Sequence, residues 1–169
     1  MEIITVQSVA AQRVRKAAQD LVIAVSNTPE DRLHWKPMDC GRPVLNQAIE
    51  CGFANMKWAA TIRNREFTPI PPETEQLIKA RFREEIEGGC WSGETVKEQL
   101  RATADELAGA ILTVRVDELD CVIMAPPPYP DSYLLVECFN HPYWNMIYHL
   151  GQINYIQTLL GDRADHSVF

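Results

Sequence analysis

Residues 10–25, AAQRVRKAAQDLVIAV, decide the fold class of this chain. The apolar residues of this stretch recur at alternating steps of four and three: Ala10, Val14, Ala17, Leu21 and Ala24, with Ala18 and Val25 beside them. This spacing places them along one face of an α-helix, so the stretch predicts an amphipathic helix that packs on a core. The helix is expected to end at Thr28-Pro29, where Thr28 can cap a short following turn.

Three further stretches have the same spacing. The second contains Val44, Ala48, Cys51, Asn55, Trp58 and Ile62, and the third contains Val96, Leu100, Thr103, Leu107, Ala110 and Val114. The fourth, expected to begin near Asp131, contains Asn145, His149, Gln152, Ile156 and Leu159 or Leu160. Ser92 suits the N-cap of the third helix, and Gly161 suits the C-terminal cap of the fourth. Four such helices of about twenty residues predict an all-α four-helix bundle.

The connections between these helices are rich in proline and glycine. They are too short for domain linkers, so residues 1–169 are expected to form one domain. A short extra helix is predicted over Thr74–Glu87, with a narrow apolar ridge of Ile78, Phe82 and Ile86. Leu119–Met124 is the only short run with strand character. Because Pro142 removes a backbone donor, the fourth stretch either kinks there or starts a new helix at Asn140 or His141; a kinked or two-part helix is favoured.

The composition narrows the classes of partner and the compartment. With 23 acidic and 16 basic residues the net charge is −7, which argues against nucleic acid as a partner. The N-terminus lacks the pattern of a signal peptide, and no apolar run is long enough to span a membrane. The five cysteines are scattered and never spaced CxxC, which is typical of reduced thiols. A cytoplasmic protein that does not bind membranes is therefore expected.

Polar side chains interrupt the apolar stripes of the second and fourth helices only. Cys51 and Asn55 stand on the second stripe, and Asn145, His149 and Gln152 stand on the fourth. The hydroxyl of Thr103, on the third, can bond to the carbonyl one turn back. Because an unpartnered buried amide or imidazole costs a few kcal/mol, the other five are expected to face one another as a polar cluster.

This cluster has two interpretations. A single inward His, Asn or Gln usually satisfies its hydrogen bonds within the core and fixes helix register. Five together favour a ligand or metal site about equally with such a network. Cys51 and His149 alone have the donor chemistry that zinc or nickel prefers, because amides are poor ligands. His141, four residues before Asn145, is a candidate third donor on the same face.

Four aromatic residues on the same two helices allow a further interpretation. Trp58, Trp144, Tyr148 and Tyr155 could line a pocket for a small molecule. Ordinary core packing also explains large aromatic side chains on helices, and it is the favoured interpretation of these four.

The segment 148–156, YHLGQINYI, followed by Leu159–Asp162, resembles the last helix of the DinB/YfiT-like proteins. Two weaker matches are residues 33–37, LHWKP, after the first helix, and residues 48–55, AIECGFAN, in the second. The resemblance covers nearly the whole chain, although only the His-Leu-Gly-Gln block is specific. It implies a four-helix bundle, in agreement with the periodicity.

The resemblance also implies a metal site of three histidines, one on the second helix and two at HxxxH spacing on the fourth. These positions fall on Cys51, Asn145 and His149, so only His149 matches. A degenerate site without a metal cofactor is expected, in a non-catalytic ligand-binding or stress-related protein. The alternative is a metal- or thiol-dependent transferase or isomerase that uses Cys51 and His149, with zinc or nickel held by His149, Cys51 and Asn145.

The same resemblance suggests which partners the chain would have. Characterised members use a low-molecular-weight thiol, so such a thiol or another small molecule is the expected ligand. Family habit and the general frequency of two-fold oligomers suggest a homodimer.

Overall fold

The computed structural model describes residues 4–67, 72–87, 89–125, 132–164 and 166, with side chains for only part of 72–87. Within them lie five α-helices: α1 (Val6–Asn27), α2 (Val44–Asn64), α3 (Pro72–Glu87), α4 (Gly93–Leu112) and α5 (Asn140–Leu159). Two short antiparallel strands, β1 (Val122–Met124) and β2 (Ser132–Leu134), pair with Ile123 opposite Tyr133. Three 3₁₀ turns lie at Glu30–Arg32, Val116–Glu118 and Glu137–Phe139.

Helices α1, α2, α4 and α5 form the predicted four-helix bundle. α1 and α2 each pack against both α4 and α5, so α1 and α2 lie diagonally across the bundle. The predicted stripe residues of α1 and α4 are all buried. On α2 Trp58 is the one half-buried member of the stripe. On α5 His149 and Ile156 are buried, Asn145 and Gln152 are half-buried, and Leu159 is exposed. Periodicity therefore located the buried faces of α1, α2 and α4. On α5 the buried face is centred on Met146, His149 and Ile153, so the predicted stripe lies partly beside it.

Contacts between side chains give the directions of the helices. Gln157 on α5 donates to the carbonyl of Ala24, 2.9 Å away near the C-terminal end of α1, so these two helices run parallel. α2 runs antiparallel to α5, because Gln47 lies beside His149 while Asn55 lies beside Met146. This direction brings the polar part of the α2 stripe to the polar part of the α5 stripe.

The helix ends follow local sequence signals. Ser92 is the N-cap of α4, and its hydroxyl accepts from the backbone N–H of Thr95, as predicted. Gly161 follows α5 with φ +94°, and the N–H groups of Gly161 and Asp162 donate to the carbonyls of Thr158 and Gln157. That pattern is a Schellman motif, which confirms the glycine cap. The expected role of Thr28 is wrong: it ends α1, and its hydroxyl donates to the carbonyl of Ala24 instead of capping the following turn.

The predicted start of the fourth helix near Asp131 is wrong. Ser132–Leu134 pairs with β1, the 3₁₀ turn Glu137–Phe139 follows, and α5 begins at Asn140, which was one of the two alternatives. Pro142 thus lies in the first turn of α5, where a backbone N–H has no partner within the helix. The helix consequently accommodates this proline at its start, without the kink that a longer helix would need.

The remaining sequence predictions concern the extra helix and the connections. The extra helix exists as α3 and begins two residues earlier than predicted. The side chains of its predicted ridge, Ile78, Phe82 and Ile86, lie outside the described residues, as do the prolines of 126–130. All five cysteines are free thiols. Of the described helices, none is long and apolar enough to cross a membrane.

Candidate functional site

Of the five polar residues predicted on α2 and α5, Asn55 and His149 contact the opposite helix. Cys51, Asn55 and His149 are buried, and Asn145 and Gln152 are half-buried. Asn55 contacts Met146 on α5, its Nδ2 lying 3.7 Å from the sulfur, and Gln152 hydrogen bonds with His149. The structure adds three residues that the sequence did not indicate: Arg42, Gln47 and Glu50.

Gln47 fixes the orientation of the His149 ring. The amide Nε2 of Gln47 donates to the backbone carbonyl of Arg42 at 3.0 Å, which turns its Oε1 toward the imidazole. This oxygen lies 3.2 Å from Nδ1 of His149 and can only accept, so Nδ1 carries the proton. In the neutral ring Nε2 then keeps its lone pair, and it lies 3.3 Å from Oε1 of Glu50.

The imidazole of His149 is neutral at physiological pH. Burial, and next the positive charge of Arg42, lower its pKa from 6.5 to about 4, against a hydrogen bond with Gln152 that raises it. Glu50 lies close enough to favour the imidazolium, but its carboxylate is paired with the guanidinium of Arg42. The arrangement thus provides a neutral ring beside an ion pair.

Cys51 is a buried thiol. Burial raises its pKa to about 12, against a smaller lowering by the positive charge of Arg42. The thiol is therefore protonated at neutral pH, and a protonated thiol is a poor nucleophile.

Several buried oxygen atoms near this cluster have no donor. They belong to Asn55, Asn145 and Gln99, and the Gln99 side chain lies against Gly52, where a Cβ would come within 2.9 Å of it. Asn55 is held by two long hydrogen bonds from its Nδ2, 3.5 Å to the hydroxyl of Thr103 and 3.7 Å to the sulfur of Met146. Thr103 itself donates to the carbonyl of Gln99 at 2.8 Å, as predicted from its position in the helix.

Replacing the amide of Asn55 should stabilise the protein. Asn55→Leu keeps the size of the side chain and removes a buried oxygen without a donor, so we expect the free energy of unfolding to rise by about 1–2 kcal/mol. Urea denaturation measures this change. Asn154→Leu, an exposed position on α5, is the control and should change stability by less than about 0.5 kcal/mol. Destabilisation by Asn55→Leu would mean that the oxygen is satisfied by a bound molecule.

His141 has contacts in a separate aromatic cluster. Its ring stacks on Trp58 with the centroids 4.5 Å apart and the planes at 7°, and it meets Tyr133 edge to face at 4.8 Å. Phe67 completes this cluster against Trp58 at 5.3 Å. Burial lowers the pKa of His141. As a metal donor beside His149, it remains a prediction.

A cleft of about 770 Å³ opens beside His149. One wall belongs to the α1–α2 connection and the start of α2 and contains Pro37, Met38, Cys40, Arg42 and Gln47. The other wall is α5, with Tyr148, Gly151, Gln152, Tyr155, Ile156 and Leu159. The residues that hold His149 therefore also face the cleft.

The favoured interpretation as core packing holds for Trp58, which is half-buried and packs against the hydrophobic core, and is wrong for the other three aromatic residues. Trp144, Tyr148 and Tyr155 are 65%, 64% and 63% exposed, and Trp58 belongs to the cluster with His141. Tyr148 and Tyr155 both line the cleft.

One signal in the sequence could have indicated Gln47. It stands four residues before Cys51 and eight before Asn55, so the three lie on one face of α2. Arg42 and Glu50 have no such signal. Arg42 reaches the site from the chain before α2 and pairs with Glu50 on α2, which only the tertiary structure shows.

Comparison with known proteins identifies the family. Residues 13–153 match the sequence profile of the DinB superfamily. The chain belongs to the DinB superfamily. Among solved structures, the DinB-superfamily fold seen here matches YfiT from Bacillus subtilis with a TM-score of 0.74 and 12% identity, over 95% of this chain and 92% of YfiT. YfiT is described as a probable metal-dependent hydrolase with an unusual four-helix bundle topology. No curated protein matches the sequence significantly.

The residues of this DinB-superfamily chain do not fit the metal that the resemblance implies. A protein zinc site takes at least three protein donors, and the described residues contain no group of three His, Cys, Asp or Glu side chains placed to hold an ion. Near Nε2 of His149 lies Glu50, whose carboxylate is already paired with Arg42. A divalent cation would have to displace that guanidinium and also deprotonate Cys51.

Proposed function

We propose that this DinB-superfamily protein binds a small organic molecule in the cleft beside His149 and does not catalyse a metal-dependent reaction. The observation that carries the proposal is the position of the cleft, which shares Arg42, Gln47 and Gln152 with the surroundings of His149. Where the family resemblance leads one to expect metal ligands, this chain has a protonated thiol, an amide and a neutral imidazole.

The residues that line the cleft suit a ligand with one apolar part and one acidic or carbonyl-bearing part. Met38, Tyr155 and Leu159 offer apolar and aromatic surface to a flat hydrocarbon body. Arg42 and the amide of Gln152 offer hydrogen-bond donors to an acidic or carbonyl-bearing end. An amphipathic aromatic anion combines both parts, and 8-anilinonaphthalene-1-sulfonate is a fluorescent probe of this kind.

Filling the cleft should abolish binding of this probe. Gly151 lines the cleft, and a Cβ added there meets no atom within 4 Å, so Gly151→Phe adds a ring at the cleft wall from a position with room for its Cβ. We expect at least about a tenfold loss of probe affinity, since the ring and the probe compete for the same volume. Fluorescence titration measures it. Gly109→Phe on α4, also with open space around the Cβ, is the control and should bind like wild type.

The cysteines provide a second readout in the unmodified protein. Cys40 lines the cleft, whereas Cys90 and Cys121 are exposed outside its lining. Bound probe should slow the alkylation of Cys40 and leave the other two rates unchanged, as read by peptide mass spectrometry. Equal protection of all three cysteines, or none, would contradict binding in this cleft.

Metal analysis decides between this proposal and the enzymatic alternative. We expect neither the purified, untagged protein nor its His149→Ala variant to contain stoichiometric metal. Stoichiometric zinc or nickel that disappears in His149→Ala would overturn the proposal in favour of a metal- or thiol-dependent enzyme that uses Cys51 and His149.

A further inference from the structure

We infer that a groove between α1 and α5, called the α1–α5 groove below, binds an acidic α-helical segment of a partner protein. The groove has a volume of about 790 Å³. None of the residues that line it also lines the cleft beside His149. The inference therefore concerns a second surface and does not depend on the ligand proposed for the cleft.

The floor of the α1–α5 groove is apolar. Val9 and Ala17 of α1 line it together with Tyr143 and Ile147 of α5. Ala17 is buried and the other three are half-buried. Because the side chain of Ala17 is small, it leaves a recess between the two helices. The floor thus offers partly covered apolar surface that the side chains of a partner can bury.

The shape of the α1–α5 groove suits a helix. Its lining on α1 extends from Val9 to Asp20, which is about 16 Å or three helical turns. A helix laid along the groove inserts the apolar side chains of one face, spaced at i, i+3, i+4 and i+7, between α1 and α5. An extended strand would find no backbone partner on these two walls, because the backbone groups of a helix are bonded within it.

The charge of the α1–α5 groove is opposite in sign to the charge of the whole chain. Arg13, Arg15 and Lys16 line it with one carboxylate, Asp20. The other helix adds nothing to this balance, since α5 contains no Asp, Glu, Lys or Arg. The net charge of the chain is −7, so the positive charge of the groove is a local feature. Positive charge at a recess with apolar walls favours an anionic partner.

The three cations of the α1–α5 groove differ in their availability to a partner. Arg13 is exposed and has no ion pair among the described residues. Arg15 lies 2.7 Å from Asp105 on α4 in an exposed pair, which contributes little to stability. Both carboxylate oxygens of Asp20 lie 2.6 Å from the ammonium of Lys16. A carboxylate of the partner is therefore expected to bind Arg13 first and to compete with Asp20 for Lys16.

The geometry favours an acidic helix over a nucleic acid or an anionic membrane. Both of these extended polyanions require several available cations on one surface, whereas Arg15 and Lys16 are already paired with carboxylates. The apolar floor lies in a recess between two helices, which a flat lipid surface does not reach. A row of side chains that projects from a helix does reach it.

Fluorescence anisotropy with a defined peptide tests the inference on the full chain. The probe is a fluorescein-labelled peptide of about 16 residues, with leucine at helical spacing and glutamate beside it. Its matched control has glutamine in place of every glutamate. We expect the acidic peptide to bind at least about tenfold more tightly than the control, and to lose affinity as salt is added. Equal affinities, or no binding of the acidic peptide up to about 1 mM, would overturn the inference.

Two substitutions with opposite expected effects place the peptide in the α1–α5 groove. Arg13→Glu should weaken binding of the acidic peptide by about tenfold, because it replaces an available cation with a like charge. Asp20→Asn should strengthen binding several-fold, because it removes the carboxylate that competes for Lys16. Circular dichroism checks that both variants keep the helix content of wild type.

A control separates the groove from the charge of the whole protein. Arg101→Glu, at an exposed position on α4, changes the net charge as much as Arg13→Glu and should bind the acidic peptide like wild type. An equal loss of affinity in Arg101→Glu and Arg13→Glu would contradict binding in the groove. So would weaker binding by a folded Asp20→Asn variant.

Competition distinguishes the α1–α5 groove from the cleft beside His149. Saturating acidic peptide should leave the affinity for 8-anilinonaphthalene-1-sulfonate unchanged, since the two sites share no lining residue. Displacement of this probe by the peptide would overturn the inference and place the peptide in the cleft. Peptide binding that depends on Arg13 without any binding of the probe would overturn the proposed function alone.

Vesicles that contain phosphatidylserine test the membrane alternative. Sedimentation of the protein with these vesicles, at the ionic strength of the peptide experiment, is expected to show no binding. Vesicle binding that Arg13→Glu abolishes and Arg101→Glu does not would overturn the acidic helix in favour of a lipid surface.

Discussion

The free energy of unfolding is expected to fall by about 3 kcal/mol between pH 7 and pH 4 through His149 alone. In the folded state its pKa is about 4, against 6.5 for an unperturbed histidine. Between these two values the unfolded chain binds a proton that the folded chain does not. The contribution to stability is thus fully present above pH 6.5 and is lost as the pH falls toward 4.

The comparison of wild type with His149→Gln isolates this effect. Glutamine at this position keeps an amide donor for Gln47 and does not titrate. The rest of the chain is the same in both proteins, so its contribution cancels in the difference. Urea denaturation at several pH values should show that the advantage of wild type over the variant shrinks by about 3 kcal/mol on acidification. A difference that does not change with pH would show that the native ring accepts the proton, stabilised by Glu50.

Loss of the Gln47 side chain is expected to destabilise the protein by about 2–4 kcal/mol. Gln47→Leu removes the acceptor for Nδ1–H of His149 and the donor to the carbonyl of Arg42. The imidazole is buried, so its proton donor would then be left without a partner. Thermal and urea denaturation at pH 7.5, where His149 is neutral, measure the loss.

Two further variants make this result specific to Gln47. Gln12→Leu, at an exposed position on α1, should change stability by less than about 0.5 kcal/mol. Gln47→Glu retains an acceptor for Nδ1–H and adds a negative charge, so it should raise the pKa of His149, read by NMR titration of the ring. If Gln47→Leu behaved like Gln12→Leu, Gln47 would not be what holds the ring.

Much of the fold could be predicted because helical periodicity is a local property of the sequence. The stripes of α1 and α4 are buried as predicted. The hydroxyl of Ser92 caps the start of α4, and Gly161 ends α5 with a positive φ, both as predicted. The segment before α5 could not be predicted in the same way. Residues 134–136 are apolar and fit the start of a helix, but Leu134 pairs with Val122 on β1. A pairing between residues this far apart in the sequence is not visible in local spacing.

The candidate site was also predicted only in part: the buried positions were predicted, and the contacts between the side chains were not. Periodicity predicted that Cys51, Asn55 and His149 lie in the interior, and all three are buried. The hydrogen bonds of His149 to Gln47 and its approach to Glu50 depend on a side-chain geometry that periodicity does not specify. The sequence alone thus indicated which residues stand at the metal-ligand positions of the family. The pKa values of Cys51 and His149 depend on burial and on the charge of Arg42, which only the tertiary structure shows.

By itself, the sequence determined the four helices, the faces that α1, α2 and α4 bury, and the polar residues on the stripes of α2 and α5, because each depends on residue spacing within a single helix. Only the tertiary structure decided that Arg42 and Gln47 reach His149, that a cleft opens there, and that Tyr148 and Tyr155 lie on the surface. The physical reason is that burial and proximity depend on which helix covers which face. In this bundle, no described helix covers the outer face of α5.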